Sequence, residues 1–179
     1  MKKNVTITYL EMRSIGVDQA VACPDPALAV AQLQRPMPEL NRFFYTAIGG
    51  SWYWIDRLTW TYRDWLNYLD RPELKTWVIS HATIPVGYFE LELQPENSVE
   101  IVYFGLLPYF VGRGWGRWAL EQAIAKAWDM PADRLWVHTC DLDHPRALGN
   151  YQARGFQIYK VETVIQEIPP QPPGPWQGA

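Results

Sequence analysis

VEIVYFGLLPYFVGRGWG, residues Val99 to Gly116, joins a strand to a helix through glycine. Val99 to Leu107 is rich in β-branched and aromatic residues and reads as a buried strand, which Pro108 ends because it cannot donate a ladder hydrogen bond. Gly112, Gly114 and Gly116 follow at alternate positions. Beyond them Leu120, Ala123, Ile124 and Ala127 recur at helical spacing, so the glycines sit on the junction. Without side chains they let a ligand reach the backbone, and the first N–H groups of a helix are unpaired donors with partial positive charge. Such a junction holds phosphates.

The kind of phosphate site can be narrowed. No Gly-Lys-[Ser/Thr] triplet occurs, which excludes a Walker A loop, and Arg117 stands where a dinucleotide fingerprint needs its third glycine. The spacing resembles motif A of the GCN5-related N-acetyltransferases, [Gln/Arg]-x-x-Gly-x-[Gly/Ala], with Gly114 and Gly116 in the glycine positions and Val111 in place of Gln or Arg. A second stretch extends the resemblance. Leu135 to Cys140 reads as a strand, and Asp143, His144 and Pro145 start a short helix with Asp143 or His144 as N-cap. Gly155 ends that helix as its C′ residue, with Phe156 making the apolar contact beyond. Ala147, Tyr151, Gly155 and Phe156 match the family's Asn-x-x-Ala-x-x-x-Tyr-x-x-x-Gly-Phe signature, and His144 takes the Asn position.

Composition sets the frame. The 179 residues, 48% hydrophobic and 20% charged, make one ordinary globular domain over residues 1–168, followed by a proline-rich tail over 169–179. A net charge of −3 offers no global attraction to nucleic acid or an anionic membrane, so neither is expected as a partner. Two cysteines far apart, Cys23 and Cys140, give no disulfide framework and fit a reducing cytoplasm. The first residues carry no apolar leader core, because Thr6, Thr8 and Glu11 interrupt it, and no apolar run approaches the ~20 residues that span a bilayer. We expect a soluble, cytoplasmic protein.

Along the chain, Val5, Ile7 and Tyr9 alternate as a half-buried first strand. Ala27 to Gln34 reads as a helix between Pro26 and Pro36. Leu40, Phe43, Phe44 and Ala47 share a helix face that breaks at Gly49-Gly50, and Tyr62 to Leu69 forms a helix capped by Thr61 and Asp64. Thr76 to Ser80 and Val86 to Leu93 form a hairpin around Thr83-Ile84-Pro85, the second strand with one wet face. Phe156 to Ile168 is a single long strand. The tail from Pro169 is either loose or draped on the surface by Trp176, and a mobile terminus is the expectation.

The resemblance implies an α/β (α+β) fold: a mixed central sheet of six to seven strands with splayed centre, flanked by about four helices. It implies acetyl-CoA as co-substrate and no metal, with the pyrophosphate held around Leu106, Leu107, Val111, Gly112, Arg113, Gly114, Trp115, Gly116, Arg117 and His144. It implies transfer of the acetyl group to a primary amine of a small molecule or peptide, with Tyr151 as the acid beside the sulfur. The Leu106 N–H becomes the carbonyl-oxygen donor, with Gly105 allowing a bulge there. For the base, Glu100, His138 and a water chain stay open; a glutamate in an apolar strand has its pKa raised, and a histidine titrates in range. Trp52, Tyr53 and Trp54 are the candidate acceptor wall, with core packing as the rival role. His138, Cys140, Asp141, Asp143 and His144 fit no zinc spacing, and Cys140 reads as a packed thiol rather than a nucleophile. Relatives often dimerise, which makes a homodimer possible. Val111 and the tail leave a second reading, a non-catalytic acyl-CoA sensor or partner-binding module.

Overall fold

The computed structural model describes residues 1–14 and 21–176. Seven strands form one mixed sheet: β1 (Lys2–Met12), β2 (Leu28–Gln32), β3 (Leu74–His81), β4 (Ile84–Gln94), β5 (Ser98–Leu106), β6 (Arg134–Cys140) and β7 (Gln157–Glu167). Their order is β2-β3-β4-β5-β6-β1-β7, antiparallel throughout except for the central β5–β6 pair. Four helices flank it: α1 (Pro38–Gly49), α2 (Tyr62–Leu69), α3 (Trp115–Trp128) and α4 (Ala147–Ala153). The expected architecture holds, including the unbroken final strand β7.

Helices lie on both faces of the sheet. From β4, Phe89 and Leu91 enter the core under α3 with Ala119, Leu120 and Ala123, while Tyr88 turns to the other face and packs on Phe44 and Ile48 of α1. Thus β4 is covered on both sides, and the wet face read from its alternation does not exist: Val86 through Leu91 are all buried. Glu90, fully buried, survives there because Arg57 Nη1 donates to it at 2.9 Å and Asn41 Nδ2 at 2.9 Å.

Residues 27–34, read as a helix, instead contain the edge strand β2. Its alanines favour helix in isolation, but Leu28 and Val30 turn inward while Ala29 and Ala31 stay exposed, a period of two. Pairing with β3, Val30 opposite Ile79, satisfies a backbone that two bracketing prolines leave too short for a stable helix. The other local signals act as read. Thr61 and Asp64 form a complete reciprocal cap on α2, and Gly155, at φ 93°, follows the C-terminus of α4. The β3–β4 turn is tighter than expected, closing at Ala82 and Thr83.

Candidate functional site

The sheet opens at its centre. β5 and β6 pair only at Ser98↔Arg134, Val99↔Leu135 and Glu100↔Trp136, and beyond Glu100 they part. The gap widens into a cleft of about 1020 Å³ lined by Ile101 to Leu106 on one side and by Val137, His138 and Cys140 on the other. The irregularity in β5 is at Val102, since Tyr103 faces Glu90 while Ile101 faces Leu91. Gly105, expected to carry the bulge, pairs regularly with Tyr88; it is glycine because a Cβ would lie 2.5 Å from Ile48 Cγ2 of α1. The Leu107 N–H donates to the Val86 carbonyl on the β4 side at 2.8 Å. Alternation along the strand therefore turns the Leu106 N–H toward the cleft.

At one end of the cleft stands the glycine loop. Gly112 and Gly114 take φ of 88° and 80°, and a Cβ on either would meet nothing within 4 Å. Gly114 is also the N-cap of α3 and offers no side-chain cap, so the first amides of a fourteen-residue helix are left to a ligand. Arg117 lines the cleft together with Arg146 and Asn150, neither of which the motif had singled out, and Asn150 Nδ2 donates to the Gly116 carbonyl at 3.4 Å. Val111, Gly112, Gly114, Gly116 and His144 line the cleft as well, His144 with its ring 5.0 Å from that of Trp52, whereas Leu107, Arg113 and Trp115 do not line it. Arg113 lies over the rings of Tyr109, Phe110 and Trp115 at 5.1, 5.7 and 5.6 Å, and Trp115 is core, stacked between His81 and Phe110.

Tyr151 lines the cleft from α4, 7% exposed, and its hydroxyl makes no hydrogen bond among the described residues. Burial, with Asp143 adding to it, holds the phenol well above its ordinary pKa. The helix starts later than the Asp143–Pro145 signal indicated, with Arg146 as N-cap. Asp143 is engaged elsewhere: its Oδ2 accepts from Thr139 Oγ1 at 2.7 Å and from the Cys140 N–H at 3.1 Å, and its Oδ1 from Trp54 Nε1 at 3.4 Å. His144 instead accepts the Arg146 N–H through Nδ1 at 3.1 Å. Cys140 is pushed up to about 11, first by desolvation and then by Asp143, which keeps its thiol protonated.

Glu100 sits at the apex of the opening, where β5 and β6 separate. It is 8% exposed, does not itself line the cleft, and lies 3.6 Å from His138 Nε2, which does. Desolvation and the neighbouring Glu92 carboxylate push Glu100 up to about 7, against a 2.7 Å hydrogen bond from Gln94 Nε2. Gln94 is oriented in turn by the Trp136 indole N–H, at 3.0 Å. Desolvation holds the half-exposed His138 below its ordinary pKa. Sequence reading found Glu100 and His138 separately; it missed Gln94 and Trp136, whose relation to Glu100 exists only across three strands.

The far wall is aromatic. Trp52, Tyr53, Trp54, Ile55 and Asp56 all face the cleft. Trp54 lies tilted against Tyr103, ring centroids 4.6 Å apart, and only a glycine at position 49 leaves room for it, since a Cβ there would lie 2.2 Å from its indole. Behind Trp54, the Arg57 guanidinium paired with Glu90 lies over Tyr68, Tyr103, Trp60 and Trp65 at 4.1 to 5.4 Å. Trp52, Tyr53 and Trp54 thus line the cleft, while Trp60 and, from α2, Trp65 and Tyr68 pack around Arg57 behind them. Among the described residues no His/Cys/Asp/Glu group is arranged to hold a metal, and no helix is long and apolar enough to cross a membrane.

No curated protein matches the chain. Among solved structures, a GCN5-related N-acetyltransferase from Kribbella flavida superposes with TM-score 0.63 at 17% identity, over 89% of this chain and 56% of its own. The chain thus spans little more than half the length of that protein. An acetyltransferase from Bacillus subtilis in complex with CoA gives TM-score 0.58 at 20% identity, covering 74% of this chain and 78% of its own. An aminoglycoside acetyltransferase from an uncultured soil metagenomic sample, in complex with sisomicin, gives 0.61 at 10% identity over 72% and 88%. These likenesses are of fold. The sequence itself matches the family model for the acetyltransferase (GNAT) family over residues 33–156, from just after β2 through the glycine loop to Phe156, and by that match the chain belongs to the GNAT family.

Proposed function

We propose that this protein transfers an acetyl group from acetyl-CoA to a primary amine by direct attack. The observation that carries the reading is the meeting, in one cleft, of an uncapped glycine-loop helix end, an inward Leu106 N–H and a buried phenol that makes no hydrogen bond among the described residues. The loop fits a diphosphate on its own geometry: two open positive-φ glycines, a free helix N-terminus, and Arg117 and Arg146 alongside. Val111 contributes no side-chain donor, so backbone amides carry that contact. Acetyl-CoA supplies the thioester, whose C–S bond breaks as the amine nitrogen bonds to the carbonyl carbon.

The protein's own residues divide the remaining work. The Leu106 N–H faces the carbonyl oxygen as charge develops on it. Tyr151, kept protonated by burial, gives its proton to the departing sulfur. The amine arrives as an ammonium and must lose a proton; His138 receives it at the cleft surface, directly or through water, and Glu100 at 3.6 Å shares it. Trp52, Tyr53 and Trp54 shape the acceptor end, which also carries Asp56.

A panel of primary amines assayed for thiol release with acetyl-CoA tests this. At least one should be acetylated, and Tyr151→Phe should lower kcat by about 10²-fold while leaving acetyl-CoA affinity intact. Val111 favours the second reading, a non-catalytic acyl-CoA sensor. That reading stands if the cofactor binds but no amine turns over, and falls if Tyr151→Phe abolishes a measured transfer.

A further inference from the structure

The segment after β7 is used by nothing described above. Its first residue, Ile168, is 2% exposed and packs with Val5 and Leu142 in a cluster that takes in Tyr53 and Ile55 of the aromatic wall. Ile168 also exchanges hydrogen bonds with Met1, its N–H donating at 2.9 Å and its carbonyl accepting from the terminal ammonium. Further on, the Gly174 N–H donates to the Gly50 carbonyl at 2.9 Å. That contact is backbone on backbone: a Cβ on Gly50 would lie 2.5 Å from the Gly174 carbonyl carbon, and Gly174 holds φ at 69°. Trp176, 72% exposed, takes no part in it.

Between these anchors run Pro169, Pro170, Gln171, Pro172 and Pro173. Proline fixes φ before folding, so laying this piece along the surface costs less chain entropy than an ordinary sequence would. The loop it grips needs holding. Tyr53 sits at φ 60°, a region unfavourable for an aromatic residue, and the loop from Gly50 to Asp56 contains no helix or strand. Gly50 is tied at the loop's start and Tyr53 and Ile55 are packed further along, so Trp52, Trp54 and Asp56 are presented to the cleft from a span fixed at both ends.

We propose that residues 168–174 are a strap that positions the acceptor wall, setting affinity for the acceptor amine and not for acetyl-CoA. The kinetic half of this rests on the acetyl-transfer reading; the structural half does not.

The test uses two variants, full-length Gly174→Pro, which removes the donor and forbids the positive φ, and a chain ending at Ile168. Amide hydrogen exchange across residues 50–56 should quicken roughly fivefold or more in both, as expected for the loss of one hydrogen bond and its neighbours, with β5 and α3 unchanged. Calorimetry should give acetyl-CoA affinity within about twofold of wild type, while KM for the acetylated amine rises roughly fivefold at constant kcat. Unchanged exchange at 50–56 in both variants overturns the strap, as does loosening spread equally over β5 and α3. If no amine is acetylated by wild type, the functional reading fails by itself, and the exchange pattern still decides the strap.

Discussion

Glu100 shows how one side chain is tuned by position. Its carboxyl, ordinarily near 4.5, is raised to about 7 in the folded chain because burial and Glu92 penalise the anion. Folding therefore favours the protonated acid: the contribution is complete below about 4.5 and lost as pH rises through about 7, worth about 3 kcal/mol over that window. Glu100→Gln should be near neutral for stability at pH 4.5 and stabilising by about 1–3 kcal/mol at pH 8, read by denaturant unfolding at both values. With Glu100 on the proton path as proposed, acetyl transfer should show an activity limb that rises through about pH 7, and Glu100→Gln should flatten it. A stability gain with an unaltered pH–rate profile would remove Glu100 from the proton path and leave His138.

Among the elements, β5 meets α1 on one side and β4 on the other through absences of side chain. Gly105 exists for Ile48, whose Cγ2 would sit 2.5 Å from an added Cβ, and Gly87 for the Gly105 carbonyl, also at 2.5 Å. Gly105→Ala should therefore destabilise by about 1–3 kcal/mol through overpacking. Combined with Ile48→Ala, which vacates the space, it should cost less than the two single changes summed, the excess appearing in a double-mutant cycle. Were the glycine needed for a bulge, as its sequence position had indicated, Ile48→Ala would give no such relief. The bulge belongs to Val102, so the opening of β5 from β6 is decided upstream of the glycine.

On the scale of the molecule, the sheet is a frame whose one deliberate failure of pairing is the cleft. β5 and β6 keep three paired residues at the base and spend the rest of their length as walls of a cleft that brings the glycine loop and its cations together with the rings and Asp56. A ligand bound only by the folded frame raises its stability: acetyl-CoA at a hundred times its Kd adds about 2.7 kcal/mol. For a chain of this size that amounts to roughly 5–10 °C in Tm. Gly114→Trp, placed at φ 80° in the open loop, should abolish that shift in a thermal scan while costing the apo protein only its backbone strain.

What the residues determined alone were the features written in local order: the strand–glycine–helix junction at 99–127, the Tyr151, Gly155 and Phe156 spacing, the Thr61–Asp64 cap and the unbroken β7. Each depends on neighbours a few residues away, whose backbone preferences are fixed before the chain folds. Tertiary structure alone decided that residues 28–32 would be a strand, because β3 was there to pair with them. It decided that Glu90 would be buried, because Arg57 and Asn41 came from distant segments to meet its charge. It decided that Glu100 would meet His138 and be held by Gln94 and Trp136, and that Gly174 would reach Gly50. Contacts of that separation leave no period in the sequence, since they arise from where the sheet happens to bring two surfaces together.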